Sequence, residues 1–362
     1  MNPSFPRFRL TEDYTISRVL KGGWQLAGGH GPVNEPQAIE DMREFVEAGV
    51  TTFDCADIYT GVEALIGRFL KAYGGAMASG ELPSVQIHTK CVPDLALLSR
   101  LTKGYTETLI DRSLRRLGVE RLDLVQFYWW DFSIPGFLDL AGHLVDLQKA
   151  GKIRYLGVTN INGEQLRMLL DAGIPILSNQ VQYSLLDRRP REDLLDLCQR
   201  NDIHLLCYGS VAGGFLTDRY LGAGEPMEPL ENRSLTKYKL IIDEFGGWDL
   251  FQELLSSLRS IADRYGVGIG EVAVQYILQQ PGVAGAIVGA RNNRHLDGIR
   301  NLSNFALADE DLSRIEAILD RSQGPRGPVY GLESQKDGKH GRIMRYNLNQ
   351  ESMDPPDPSV LS

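Results

Sequence analysis

The sequence predicts an α/β protein, a (β/α)8 TIM barrel, and three observations predict it. Short β-branched runs alternate with longer stretches of helical period, the runs number eight, and 362 residues suit one barrel with insertions better than one small core. The strands are expected at SRVLKGGW (17 to 24), TTFDCA (51 to 56), VQIHTK (85 to 90), LDLVQFYW (122 to 129), IRYLGVT (153 to 159), ILSNQVQ (176 to 182), HLLCYG (204 to 209) and GAIVGA (285 to 290).

Between them, EPQAIEDMREFVEAG, ETLIDRSLRRLG, DLAGHLVDLQKAG and REDLLDLCQRND read as helices, several closed by Gly or Asn where a C-cap is expected. FRLTEDYTIS, ahead of the first strand, reads as a hairpin that plugs the barrel floor. Residues 211 to 250 read as one long connection after the seventh strand, of the kind that forms lids and binding loops. RNNRHLDGIRNLSN and ADEDLSRIEAILDR read as two final helices. The barrel is thus assigned to residues 1 to 321. Residues 322 to 362, with QGPRGPVYGL and MDPPDPSV, form a Gly/Pro-rich tail that either folds over the active site or is partly disordered.

Composition narrows the function. With 43% hydrophobic and 23% charged residues the chain can bury a large core, and a net charge of −9 without a basic run argues against nucleic acid. The N-terminal stretch lacks a secretory apolar core and no apolar run approaches a membrane span, so a cytoplasmic protein without a membrane partner is expected. The four cysteines lack CxxC spacing and read as buried free thiols; no metal site is expected.

In such barrels chemistry sits where strands end. Those ends are polar here: FDCADIY, HTK, GVTN, SNQVQY and CYGS. The collection suits reduction of a carbonyl, because the developing alkoxide needs a proton donor as hydride arrives. Tyr59 can donate that proton, Lys90 can make its phenol more acidic by favouring the phenolate, and Asp54 can hold Lys90. Taken singly, Asp54 reads as readily as a capping residue and Tyr59 as a loop aromatic; His88 reads as a core histidine one layer deeper. Trp129, Trp130 and Phe132 either line a substrate pocket or pack under the fourth loop.

In order along the chain, FDCADIYTGVE, IHTK, LDLVQFYWW, GKIRYLGVTN, NQVQYSLL and YGSVAGGFLT resemble the successive motifs of the aldo-keto reductases, over about Gly22 to Arg300. The resemblance implies an NADPH-dependent oxidoreductase acting on a small-molecule carbonyl or conjugated group, with Asp54, Tyr59 and Lys90 as three members of the catalytic set. It implies that Thr159, Asn160 and Gln180 hold the nicotinamide carboxamide and that Tyr208 stacks on its ring. Gly22, Gly23 and Trp24 stand near ring and pocket, and Gly209, Ser210, Val211, Ala212 and Gly213 form the pyrophosphate loop, where glycine lets amides approach an anion.

The chain departs from the pattern in two places. Tyr128 stands where the family usually has histidine, which keeps a donor but not a titration near neutrality. Tyr128 therefore either orients the substrate beside Tyr59, reshapes the pocket, or accompanies loss of turnover. At the adenosine end Gly289, Arg291 and His295 match, while Gly298 and Ile299 replace the usual acid and amide. Arg291 and Arg294, at the start of the final helix, favour the 2′-phosphate of NADPH over NADH. An NADPH-binding regulatory subunit with little turnover, and a non-redox lyase or isomerase, remain the alternatives. Oligomeric state and the reach of Tyr330, Arg345 and Tyr346 are not legible.

Overall fold

Each barrel strand forms where the alternation puts it. The computed structural model describes residues 5–349. An antiparallel hairpin, β1 (Arg7–Thr11) and β2 (Tyr14–Ser17), precedes eight parallel strands: β3 (Val19–Gly22), β4 (Thr52–Asp54), β5 (Gln86–Cys91), β6 (Leu122–Phe127), β7 (Ile153–Thr159), β8 (Ile176–Gln182), β9 (His204–Tyr208) and β10 (Val283–Gly289). Their hydrogen-bonded order, β10-β3-β4-β5-β6-β7-β8-β9, closes a barrel. Parallel register sets Asp54 against His88, Lys90 against Gln126 and Thr159 against Gln180. Because side chains alternate along a strand, that register fixes which polar groups share a layer.

Two compact units are distinguished along the chain. One comprises Lys21–Gln180, Ala290–Asn292 and the chain from Met344; the other comprises the chain up to Leu20, Val181–Gly289 and Asn293–Ile343.

In the first unit the helices Glu35–Glu47, Lys103–Leu117 and Gly163–Asp171 begin at Asn34, Thr102 and Asn162, whose side chains accept from the backbone N–H groups of Gln37, Tyr105 and Gln165. Such caps satisfy amides that the first turn leaves without partners. The helix Val62–Ser79 packs closely on the end of Lys103–Leu117 at Gly67, where a β-carbon would collide with the carbonyl of Arg116. Phe45, Phe53 and Phe69 are buried to within 1% exposure, each contributing roughly 1.5–3 kcal/mol of burial energy.

In the second unit the hairpin buries Leu10, Tyr14 and Ile16. Phe8 meets His204, the first residue of β9, edge-on at 5.0 Å, and the Arg18 guanidinium donates to the carbonyls of Leu278 and Val283. The hairpin therefore lies at the N-terminal ends of the strands, as a floor plug does.

Two expectations about elements are corrected. REDLLDLCQRND is not one helix but two short ones, Pro190–Asp193 and Leu195–Arg200, broken at Leu194 with φ −108°. Residues 211 to 250 are not a structureless connection: they hold the helix Arg233–Phe245, capped by Asn232, and the start of Gly247–Tyr265. Leu235, Tyr238, Ile241, Ile242 and Phe245 recur at helical spacing and are buried. The Pro and Gly residues just upstream masked that period. The tail up to Asn349 carries fixed contacts, described below, whereas MDPPDPSV lies outside the described residues. All four cysteines are buried free thiols, as expected.

Candidate active site

The first unit assembles an ammonium, a carboxylate and two amides at the ends of four strands. Lys90 Nζ donates to Asp54 Oδ2 at 2.8 Å and to the Cys55 carbonyl at 2.8 Å. Asp54 Oδ1 accepts from Gln126 Nε2 at 3.0 Å and from Gln180 Nε2 at 2.6 Å, and Gln180 also donates to Gln126 Oε1 at 2.7 Å. Lys90 and Asp54 are 5% and 3% exposed, so each would be costly to bury alone; together, with the amides, the pair is satisfied. Burial works against the Lys90 charge, but Asp54 and Tyr59 more than offset it, and the amine stays an ammonium above its ordinary range. Gln126 escaped the sequence reading, although a polar residue in step with Leu122, Leu124 and Tyr128 was the available signal.

Tyr59 follows β4 in a turn that closes on the carbonyl of Ala56. Its ring lies 5.1 Å from Lys90 Nζ and meets Trp24 edge-on at 5.1 Å. The expected rise in acidity is overturned: burial raises the phenol above its ordinary value, and Lys90 offsets this only in part. Burial thus favours the protonated hydroxyl. Gly23 permits this packing, since a β-carbon there would stand 2.9 Å from both the Asp54 carbonyl and Val62 Cγ1.

His88 is fully buried, and burial pulls its imidazole down to about 4, so it is neutral core, as read. Thr159 Oγ1 and Asn160 N both donate to the Gln180 carbonyl, at 3.1 and 2.8 Å, and Asn160 adopts φ 58°, which turns the chain sharply beyond β7. Gln180 therefore has its amide nitrogen engaged by Asp54 and Gln126, while Thr159 and Asn160 stand beside it.

The aromatic candidates separate. Trp129 is 1% exposed, packs on Phe127 and Phe137, and donates to the Asp131 carbonyl at 2.9 Å. It is a packing residue, which corrects its assignment to the pocket; a side chain so enclosed has no surface for a ligand. Trp130 is partly exposed, donates to the Pro93 carbonyl at 2.8 Å, and meets Tyr128 at 4.7 Å and Tyr346 at 5.1 Å, both edge-on. Tyr128 itself is 5% exposed. The tail reaches this cluster through backbone pairing of Leu95 N with the Tyr346 carbonyl at 2.9 Å, and Asn349 N donates to Asp94 Oδ1 at 2.9 Å.

The second unit contains a cavity of about 650 Å³. The 209–214 segment bounds it with Val211, Gly213 and Gly214; β10 contributes Val288 and Gly289; and Arg294, His295, Gly298 and Ile299 complete that end. Gly209, Ala212, Gly213 and Gly214 all have positive φ, so the segment is tightly curled, and Ser210 Oγ is buried without a hydrogen-bond partner among the described residues. Gly209 and Gly213 also admit the Tyr238 ring, which a β-carbon at either position would strike at under 3 Å. Arg291 does not line the cavity; in the first unit its guanidinium donates to the His30 carbonyl. At the end of β9 the Tyr208 ring lies 4.9 Å from Lys237 Nζ.

The comparisons with known proteins agree on one family. The sequence model described as the Aldo/keto reductase family matches residues 18–320. An aldo-keto reductase of Bacillus subtilis (strain 168), YhdN, is 30% identical over 329 residues, covering 87% of this chain and 93% of its own. The NADH-specific methylglyoxal reductase of Escherichia coli (strain K12) is 26% identical, covering 86% and 97%. Among solved structures, a glycerol dehydrogenase from Gluconobacter oxydans superposes with TM-score 0.73 at 24% identity, over 89% of this chain and 97% of that one. An aldo/keto reductase from Klebsiella pneumoniae in complex with NADP and acetate does so with TM-score 0.65 at 20% identity, over 89% and 96%. With a matching profile across most of its length and the same closed barrel, this chain belongs to the aldo/keto reductase family.

Proposed function

We propose that the protein is an NADPH-dependent oxidoreductase that reduces a carbonyl or conjugated group of a small molecule, with Tyr59 as the proton donor. The observation that carries this reading is the Lys90 ammonium, pinned by Asp54 and the Cys55 carbonyl with its charge 5.1 Å from the Tyr59 ring. The second unit's cavity supports the dinucleotide: its lining combines glycine backbone at Gly213, Gly214 and Gly289 with Arg294 and His295. The B. subtilis and E. coli relatives are named as reductases, and the K. pneumoniae structure holds NADP.

When bound, a nicotinamide dinucleotide would supply the hydride. Tyr59 then gives its hydroxyl proton to the substrate oxygen as negative charge grows there, and Lys90 stabilises the phenolate left behind. Asp54 keeps Lys90 from turning away, and Gln126 and Gln180 keep Asp54 in place. Thr159, Asn160 and Gln180 are the residues to hold the carboxamide, Tyr208 to lie against the ring, and the 209–213 segment to take the pyrophosphate. Trp24, Trp130 and Tyr128 form the aromatic wall that receives the substrate; a tyrosine at 128 orients an oxygen without titrating near neutrality.

Turnover of NADPH with a panel of aldehydes, ketones, enones and imines tests the reading directly. Tyr59→Phe should lower kcat by roughly 10²–10⁴-fold while NADPH affinity stays within a few-fold. Equal activity in that variant would remove Tyr59 from the role, and an inert panel would remove the enzyme reading.

A further inference from the structure

We propose that Lys237 discriminates between the two redox states of the nicotinamide by charge: its ammonium, held over the Tyr208 ring, favours the neutral reduced ring over the cationic oxidised one. This rests on the reading that Tyr208 lies against the nicotinamide. Lys237 stands in the helix Arg233–Phe245, and its Nζ lies 4.9 Å from the centre of the Tyr208 ring and 3.5 Å from the Tyr208 hydroxyl. The rings of Tyr238 and Tyr330 flank the ammonium at 5.8 and 5.9 Å. The tail brings Tyr330 there with φ 61°, a left-handed conformation that a bulky residue keeps where its surroundings hold it. Tyr208 is itself partly exposed, which leaves ring surface for a ligand.

The way Lys237 is held separates it from a structural cation. An ammonium carries three donors. Among the described residues this one reaches two polar groups, the Tyr208 hydroxyl and Glu333 Oε1, the latter at 4.0 Å, and its side chain is 16% exposed. Glu333 meanwhile gives both its oxygens to Arg189, at 3.0 Å each. Aromatic rings supply the other close contacts, and they attract the charge without neutralising it. Burial works against the ammonium and Glu333 works for it. What Lys237 gives the Tyr208 ring is therefore a field more than a hydrogen bond, in a place where water screens it little. Reduced nicotinamide is neutral; loss of its hydride leaves a positive charge on the ring, which a fixed cation beside Tyr208 repels. The oxidised cofactor is thereby held less tightly than the reduced one, the order that lets a reductase exchange it after turnover.

Calorimetric titration of the whole protein with NADPH and with NADP⁺ tests this, because the two share the adenosine end and differ in the charge of the nicotinamide ring. In the wild type the Kd for NADP⁺ should exceed that for NADPH. Lys237→Met should shrink this ratio by about three- to tenfold, as expected of a partly neutralised charge acting within about 10 Å at an effective dielectric of about 20. Lys237→Arg keeps the charge and should keep most of the ratio, whereas Glu333→Gln, which removes the nearest negative charge, should widen it. Lost packing alone would weaken both cofactors alike and leave the ratio where it was. An unchanged ratio in Lys237→Met, or one that Lys237→Arg lowers as far as Lys237→Met does, overturns the inference and leaves the cofactor reading standing. A wild type that binds neither dinucleotide, or a Tyr208→Leu variant that binds both as the wild type does, overturns the reading of Tyr208 and this inference with it.

Discussion

Around Lys90 one ammonium is held by one carboxylate and a carbonyl, with two amides closing the shell; around Arg189 a guanidinium is clamped between two carboxylates. Arg189 donates to Asp187 through Nε at 2.9 Å and Nη2 at 2.7 Å, and to Glu333 through Nη1 and Nη2, both at 3.0 Å. Arg189 and Glu333 are each 1% exposed and Asp187 is fully buried. Lys237 Nζ approaches Glu333 at 4.0 Å. Both networks are buried and hydrogen-bonded, yet they differ in what is left over. The Arg189 clamp commits four side-chain hydrogen bonds to two carboxylates and ties the tail down. The Lys90 site leaves a charge facing a phenol whose proton can move.

Lys90→Met and Arg189→Met separate these roles. Both remove one partner from a buried pair and should destabilise by about 3–5 kcal/mol, read as denaturant midpoints. Only Lys90→Met should also lower kcat, by roughly 10²–10⁴-fold, since it removes the charge beside Tyr59. A folded Arg189→Met protein with an equally collapsed kcat would break the comparison.

Opposite pH responses sharpen it. Burial works against the Glu333 carboxylate, but Arg189 and Lys237 prevail and hold it at about 2. A carboxylate with a depressed folded pKa contributes stability above its unfolded value, ~4.3, and loses it as pH falls through about 2. The wild type should lose on the order of 3 kcal/mol across that window, and Glu333→Gln should flatten the loss.

Asp57, in the turn after β4, behaves inversely. It is buried, Oδ2 accepts from Val92 N at 3.1 Å, and Arg112 stays 3.8 Å away, so burial pushes the carboxyl up to about 7. The folded state then holds the proton more tightly than the unfolded one, and stability falls as pH rises from about 4 to about 7. Asp57→Asn should remove most of that fall, on the order of 4 kcal/mol, measured by thermal melts from pH 4 to 8. A wild type whose stability rises over this interval, with no change in Asp57→Asn, contradicts the weak pairing.

The buried network around Lys90 was legible because most of its members stand at strand ends in short motifs. Asp54, Lys90 and Gln180 are read from FDCADIY, IHTK and SNQVQY, and strand period fixes their common face. Gln126 was missed because an amide inside a strand, short of its end, has no motif of its own. The Arg189 clamp was invisible, since its closing residue, Glu333, is separated by 144 positions in a tail whose composition reads as loop.

The order of strands and the closed barrel were thus determined by the sequence alone, because period and strand-end polarity are local properties. Three matters waited on the tertiary structure: that Trp129 is packing and not pocket, that Arg291 turns to His30 while Arg294 and His295 line the cavity, and that Lys237 lies over the Tyr208 ring. Each depends on which distant segments touch, and side-chain volume and charge decide that only once the backbone has closed.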